Sequence, residues 1–277
     1  MTDPSCWSDL DRPPLSEPAL RAALVRPGSF VTDLRLVAET GSTNDDLTAL
    51  ARAGAPEGTV LVAEAQSTGR GRLDRLWSSP PRAGLTFSVL LRPPPTVPPY
   101  RWTWLPLLTG LAVQQAVARL GAVPTRLKWP NDLLLGAEPA KAGGILAQAD
   151  GAAVVVGIGV NVSTRRAELP TGGTSLAAEA AECTDRDPLL RAVLRGFGTL
   201  YSAWCESGGA PGGVRAGYEQ VCDTIGREIR AQLPDGGTLT GTATGLDDSG
   251  RLLLATAAGE RAVSAGDVTR VRAVPAQ

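Results

Sequence analysis

The stretch Gln66-Ser67-Thr68-Gly69-Arg70-Gly71-Arg72, running on to Trp77, separates two apolar, strand-like segments, 59–65 and 84–91. Two glycines flank Arg70, so the backbone there can approach a ligand closely. Arg70 and Arg72 carry planar forks that match phosphate oxygens. Such a loop can hold a nucleotide by charge and backbone N–H groups together. Trp77 offers a ring face for an adenine or another apolar ring. The G-x-x-x-x-G-K-[ST] pattern is absent, which excludes a P-loop protein. Taken alone, the stretch is equally an anion-binding loop or a basic surface loop, and its neighbours decide between the two.

Upstream, Glu39-Thr-Gly-Ser-Thr-Asn-Asp-Asp46 stands at a predicted strand-to-helix junction, where exposed N–H groups and hydroxyls suit a polar or anionic ligand or simply cap the helix. Downstream, Leu127-Lys-Trp-Pro-Asn-Asp132 leads a strand into a carboxylate, with Pro130 favouring an extended Trp129. Asp132 is a candidate Mg²⁺ ligand or an acceptor of a proton from an amine, and both roles stay open. Lys141-Ala-Gly-Gly-Ile-Leu146 sets an isolated ammonium beside bare backbone, which suits an anionic reaction centre. Val156-Gly-Ile-Gly-Val-Asn161 is an apolar strand whose glycines imply close approach to its backbone. No helix or third glycine follows, so it is not a dinucleotide fingerprint.

Composition narrows the chemistry. A chain of 277 residues with 43% hydrophobic content suits one large domain with a small appendage. A net charge of -1 without a basic stripe argues against a nucleic-acid partner. The N-terminus lacks the basic start and apolar core of a secretory signal, and no apolar run is long enough for a membrane span. Cys6, Cys183, Cys205 and Cys222 form no CxxC pair, which reads as reduced thiols in the cytoplasm. There is no histidine, so Ser-His-Asp, Cys-His and HExxH chemistry is excluded. Of 27 basic residues 25 are Arg, the only lysines are Lys128 and Lys141, and the only asparagines are Asn44, Asn131 and Asn161. All five lie in the stretches above. Lysine is a compact point charge and arginine a planar fork, so its survival here points to a site that refuses the exchange.

The Pro-rich residues 1–30 read as irregular, with one short helix around Ser16–Val25. Strands are predicted over 31–38, 59–65 and 84–91, and helices over Ser42–Arg52 and Trp102–Leu120. Residues 126–135, 143–149 and 154–162 are β-rich, 163–187 loop-like, and Leu189–Glu206 and Val214–Val221 helical. After Asp223, short alternating stretches separated by PDGG, DDSG and AAGE read as a small barrel of hairpins. The division is therefore 1–30, 31–222 and 223–277.

In their order, Ser-Thr-Asn at 42–44, Gln-x-x-Gly-Arg-Gly-Arg at 66–72, Lys-Trp-Pro-Asn-Asp at 128–132, Lys-x-x-Gly-Ile-Leu at 141–146 and Gly-x-Gly-x-Asn at 157–161 resemble the biotin protein ligase family. The resemblance implies an α+β fold, a mixed, largely antiparallel sheet with helices of the class II synthetase-like kind, plus a small C-terminal SH3-like β-barrel. It implies activation of biotin by ATP, with Mg²⁺, to biotinyl-5′-AMP, then transfer to a lysine of a biotin carboxyl carrier domain. On this likeness Ser42, Thr43, Asn44 and Gln66 hold the ureido ring, and Gly143 and Gly144 let the backbone meet the ligand. Arg70, Gly71 and Arg72 order over biotin and the phosphates, and Lys141 faces the carboxylate and α-phosphate. Trp77 and Asn161 take the adenine end, Lys128 and Asn131 join the ligand-binding set, and Asp132 carries Mg²⁺ or helps deprotonate the acceptor amine. The likeness further implies a monofunctional, cytoplasmic enzyme, monomeric or weakly dimeric, without a DNA-binding module. One departure stands out: Leu73-Asp74 follows Arg72, and a carboxylate in a phosphate loop weakens ATP binding or pairs with Arg75. A lipoyl or octanoyl ligase and a non-catalytic biotin sensor are the rival readings. The polar Ser-Thr-Asn and Gln66 set favours a ureido ring over a lipoyl chain.

Overall fold

A computed structural model describes residues 12–72, 75–233, 236–264 and 267–270, the last four by their backbone only. Cys6 and the Leu73-Asp74 departure lie outside the described residues.

The mostly apolar stretch at 84–91 becomes the strand β3 (Gly84–Leu91), buried at every position, Thr86 and Ser88 included. Before it come α1 (Glu17–Leu24), β1 (Asp33–Val37), α2 (Thr43–Arg52) and β2 (Thr59–Ala63). After it come α3 (Leu105–Gly121), β4 (Thr125–Lys128), β5 (Asp132–Leu135), β6 (Ala140–Asp150) and β7 (Ala153–Asn161). The strands form one seven-stranded sheet in the order β1-β2-β3-β7-β6-β5-β4. β1 and β2 are parallel, joined by the α2 crossover, and every other pairing is antiparallel. The mixed, largely antiparallel sheet is thus as expected.

Alternation along β3 divides the core. Leu85, Phe87, Val89 and Leu91 join the large apolar cluster under α3 and α4 (Arg186–Glu206). Leu90 faces the other way, with Leu61 and Val155, against Leu47 and Ala51 of α2. Ser42 caps α2 by accepting the N–H of Asp45, and Asp45 and Asp46 sit in the first turn, where the helix dipole favours them. α4 begins three residues ahead of the predicted Leu189. Its cap is Asp185, which accepts the N–H of Asp187 at 2.9 Å, and Pro188 in the first turn needs no intrahelical donor.

After α5 (Gly212–Val221), the tail forms β8 (Glu228–Gln232), β9 (Thr238–Leu246), β10 (Leu252–Thr256), β11 (Gly259–Val263) and β12 (Asp267–Arg270). They make a separate five-stranded antiparallel sheet in the order β11-β10-β9-β8-β12. The stretch read as one segment from Arg261 to Val268 is two strands on opposite edges of that sheet. The turn between β9 and β10 docks on the large sheet's side of the molecule. There the indoles of Trp104 and Trp129 donate to the carbonyls of Asp248 and Gly250, at 2.9 and 3.1 Å. Ile229, Ala231, Leu252 and Leu254 belong to the same apolar cluster as the core of the large sheet.

The N-terminal segment, read as irregular, is tied in by a buried ion pair that no local pattern announces. Arg186 and Glu64 pair with side chains 5% and 9% exposed. Arg186 also donates to the carbonyl of Pro13 at 2.7 Å, and Glu64 accepts the N–H of Leu15 at 2.6 Å. Arg12 reaches the Ser163 carbonyl at 3.2 Å and the Glu168 carboxylate at 2.5 Å. Removing one partner of a buried pair strands the other, at a cost of about 3–5 kcal/mol. Arg186→Met should therefore lower unfolding stability by that order in urea titrations, and Arg186→Met with Glu64→Leu should recover at least half of the loss.

Candidate functional site

Pairing between β1 and β2 continues past both strands through a parallel bridge at Thr40 and Gln66. The start of α2 and Gln66 therefore emerge side by side. The backbone N–H of Thr43 donates to Gln66 Oε1 at 2.8 Å, and Thr43 Oγ1 lies 2.9 Å from the same oxygen. Ser42, Thr43 and Asn44 are buried. Asn44 is more committed than expected. Its Nδ2 donates to Gln148 Oε1 at 2.6 Å and the Leu146 carbonyl at 3.3 Å, and its Oδ1 lies 2.6 Å from Ser88 Oγ. Asn44 borders the site, but its amide is spent on the protein.

Gly157, Gly159 and Asn161 alternate onto one face of β7. A β-carbon on Gly157 would lie 2.3 Å from Asn44 Oδ1, and one on Gly159 would lie 2.5 Å from Trp77 Cε2. The close approach implied by this stretch is thus made by two of the protein's own side chains. Asn161 donates to the Thr174 carbonyl at 3.0 Å and holds the 170–173 loop at the rim.

The arginine loop folds back on itself as a short hairpin. Trp77 N–H donates to the Gly69 carbonyl at 2.8 Å, Gly71 N–H to the Arg75 carbonyl at 2.6 Å, and Arg70 bridges Leu76. Gly69 is required: a β-carbon would lie 2.5 Å from the Trp77 carbonyl and 2.6 Å from Gln66 Nε2. Arg70 sits 3.6 Å from Asp45, with both side chains about half exposed. The indole N–H of Trp77 is buried without a protein partner among the described residues.

β4 and β5 form a hairpin that sets Lys128 opposite Asp132. Trp129 is 2% exposed and packs into the core, its N–H donating to Thr224 Oγ1 at 3.0 Å. The Trp129–Pro130 peptide is cis. Asn131 is bound to β6 twice, by Nδ2 to the Ile145 carbonyl at 3.1 Å and by its carbonyl to Ile145 N–H at 2.9 Å. β6 carries one extra residue against β5, at Ala142. Gly144 opens toward Lys141, whose Nζ is 3.9 Å from where a β-carbon would stand. Gly143 does not: its β-carbon position faces the Gly159 carbonyl at 2.7 Å and Leu133, so its role is close strand packing. Lys141 Nζ meets Asp132 Oδ1 at 2.6 Å.

These groups surround one cavity of about 330 Å³. Every residue nominated from the sequence lines it except Gly143. Ser88, Gln148 and the 170–173 rim were missed. Ser88 is one hydroxyl in an apolar strand, Gln148 lies beyond any motif, and the rim falls in a stretch read as plain loop. A wider groove of about 820 Å³ adjoins the cavity, sharing Arg70 to Arg72 and Trp129 to Asn131, with Ser249 to Arg251 on its far wall. Among the described residues Asp132 is the only carboxylate lining either space, and Lys141 holds it. Among them, too, no group of three or more His, Cys, Asp or Glu side chains could hold a metal ion. The described donor set does not make a resident Mg²⁺ site. No helix among the described residues is long and apolar enough to cross a membrane.

Comparison with known proteins agrees with this geometry. Residues 37–163 match the Biotin/lipoate A/B protein ligase family, and residues 224–270 match the Biotin protein ligase C terminal domain. The chain is 42% identical over 265 residues to the biotin–[acetyl-CoA-carboxylase] ligase of Mycobacterium tuberculosis, covering 94% of this chain and 97% of that protein. It is 30% identical to the Paracoccus denitrificans ligase of the same name, over 84% of this chain and 98% of the relative. Among solved structures, the biotin protein ligase from Aquifex aeolicus in complex with biotin and ATP superposes with a TM-score of 0.74 at 30% identity, over 87% of this chain and 100% of that one. A chain with both matched regions, this identity and this sheet belongs to the biotin protein ligase family.

Proposed function

We propose that this protein is a biotin–[acetyl-CoA-carboxylase] ligase, which joins biotin and ATP as biotinyl-5′-AMP and passes the biotinyl group to a lysine of a carrier domain. The observation that carries this reading is a single cavity lined by two kinds of group. Thr43 and Gln66 supply an uncharged polar head, while Lys141, Lys128, Arg70 and Arg72 supply positive charge. A lipoyl chain would have no use for that polar head.

In the first step a carboxylate oxygen of biotin forms a bond to the α-phosphorus of ATP, and the bond to pyrophosphate breaks. Negative charge concentrates around that phosphorus, and a pre-placed ammonium stabilises it without reorganisation. Lys141 fills this role, exchanging its 2.6 Å contact with Asp132 for the reacting anion. Arg70 and Arg72 close over the phosphates as the hairpin shifts toward them, and Trp77 flanks the adenine. A closed lid shields the mixed anhydride from water. Mg²⁺ enters as part of the nucleotide substrate, held by phosphate oxygens. In the second step the acceptor amine attacks the acyl carbon and AMP leaves. Asp132, freed from Lys141, faces the amine and takes its proton. The adjoining groove gives a protein-borne lysine its approach. We assign residues 31–222 to catalysis and 223–277 to a C-terminal unit, in a protein that works in the cytoplasm.

Two substitutions test the assignments. Lys141→Arg keeps the charge but replaces a point by a fork, and should slow adenylate formation by on the order of 10²-fold. Pyrophosphate release and mass-spectrometric detection of biotinyl-AMP check it, and near wild-type turnover would refute the role. Gly159→Ala should push Trp77 off β7 and raise the KM for ATP by roughly tenfold with little change in biotin affinity. An unchanged KM would remove Trp77 from the nucleotide site.

A further inference from the structure

At Lys141 the neighbour of β6 changes. The pairing of β7 with β6 begins at Gly143 and does not extend to Lys141. The rim segment takes over that side of the strand. Lys141 N–H donates to the Gly172 carbonyl at 3.3 Å, and Thr174 N–H donates to the Lys141 carbonyl at 2.8 Å, a parallel bridge across Gly173. The bulge at Ala142 separates Lys141 from the regular ladder, so the rim is what fixes its backbone on this side.

Thr174 joins that contact to the end of β7. Its carbonyl accepts Asn161 Nδ2 at 3.0 Å, so a single residue holds both the backbone beneath the ammonium and the side chain of Asn161. Asn161, in turn, accepts the N–H of Leu176 at 3.2 Å. Thr174 is buried and lines neither the cavity nor the adjoining groove, whereas Lys141, Asn161, Gly172 and Gly173 all line the cavity. Its hydroxyl is anchored from behind, where Oγ1 donates to Glu179 Oε1 at 2.6 Å. Bonds to a carboxylate are short and about twice as strong as neutral ones. Glu179 is itself seated on bare backbone at the end of β5. A β-carbon on Gly136 would lie 2.5 Å from Glu179 Oε2. The anchor therefore rests on the same strand that begins with Asp132.

We infer that Thr174, anchored through its hydroxyl to Glu179, is a positioning residue for the first step, which sets the backbone of Lys141 and so the point from which the ammonium meets the reacting anion. Thr174 touches no substrate. It acts by holding a reactive side chain that the central strand leaves unsupported. The inference rests on the reading of Lys141 in adenylate formation and adds the residues that place it.

The test uses the full-length protein and times the two steps separately: single-turnover formation of biotinyl-AMP at saturating biotin and ATP, and transfer from supplied biotinyl-AMP to a carrier domain. Thr174→Val keeps the shape and removes the donor. It should slow adenylate formation roughly tenfold and leave transfer within about threefold of wild type. Thr174→Ser keeps the hydroxyl and Glu179→Gln keeps an acceptor, so both should stay within about threefold of wild type in the first step. Glu179→Leu, at a partly buried position, should match Thr174→Val, and it serves if that variant does not fold. In a Lys141→Arg background, Thr174→Val should slow the first step by less than about twofold further, because residues that act as a unit are not additive. Equal slowing of both steps by Thr174→Val would show a packing role alone and overturn the inference. So would a full loss repeated in the Lys141→Arg background, or a serine that fails to restore the rate. A wild-type protein that forms no biotinyl-AMP, or a Lys141→Arg variant as fast as wild type, would overturn the underlying reading instead.

Discussion

Two missing β-carbons on one strand hold this site together. Gly157 and Gly159 point to the same side of β7, and each receives a side chain that any other residue would expel. Asn44 lies on the first and fixes the start of α2; Trp77 lies on the second and fixes the far stem of the arginine hairpin. The start of α2 and the arginine hairpin are thus registered against the same few ångströms of central strand. β7 is paired on both sides, by β3 and β6, so that reference is held by backbone hydrogen bonds on both flanks. Forcing a methyl group into either place would cost about 1–3 kcal/mol if the core alone had to adjust. Here the displaced groups also carry the geometry of the ligand site.

The charge arrangement follows a related economy. Lys141 is half exposed and Asp132 largely covered, and each is the other's partner. A lone charge withdrawn from water is unfavourable, and in this pair each side chain offsets the other. In the proposed reaction the incoming anion takes Asp132's place beside Lys141. The bulge at Ala142 lets one strand supply both Lys141 and, at Gly144, the open backbone beside it. Side chains that sequence position alone would set on alternating faces converge on one point.

What could be read from the sequence was local chemistry that leaves a residue-level mark. Glycines beside a charge, a hydroxyl before a helix and a lysine in an arginine-rich chain each betray themselves: Ser42 caps α2, Gly69 is closely approached, and Lys141 and Gly144 line the cavity. Gly143 was grouped with Gly144 because two adjacent glycines look alike in sequence, yet strand alternation turns one to the ligand side and the other into strand packing. Asn44 was read as a ligand contact because nothing in the motif reveals its partners, Leu146 and Gln148, about a hundred residues away. Ser88 was invisible for the same reason. Its significance comes from which helix covers β3, a tertiary fact. The Arg186–Glu64 pair, 122 residues apart, left no mark either, and with it went the anchoring of the N-terminal segment.

Placement of the Lys141–Asp132 pair depends on the backbones that carry it. Asp132 follows Trp129, Pro130 and Asn131, and the outer two of these are clamped. Trp129 bonds through its backbone to Thr224 and through its indole to Gly250, so the second sheet grips one end of the loop. Asn131 is tied twice to Ile145, so β6 grips the other. A salt bridge of 2.6 Å between flexible side chains is only as well placed as the backbones beneath it, and an error of 1 Å at the carboxylate is large for chemistry. On this view the small C-terminal sheet does more than follow the catalytic one in the chain. Its turn at Asp247–Gly250 is folded by Asp247, which accepts the N–H groups of Ser249 and Arg251, and it presents the Gly250 carbonyl to the indole that steadies Asp132. Loosening that turn would reach Asp132 through one tryptophan, without touching Thr43 or Gln66.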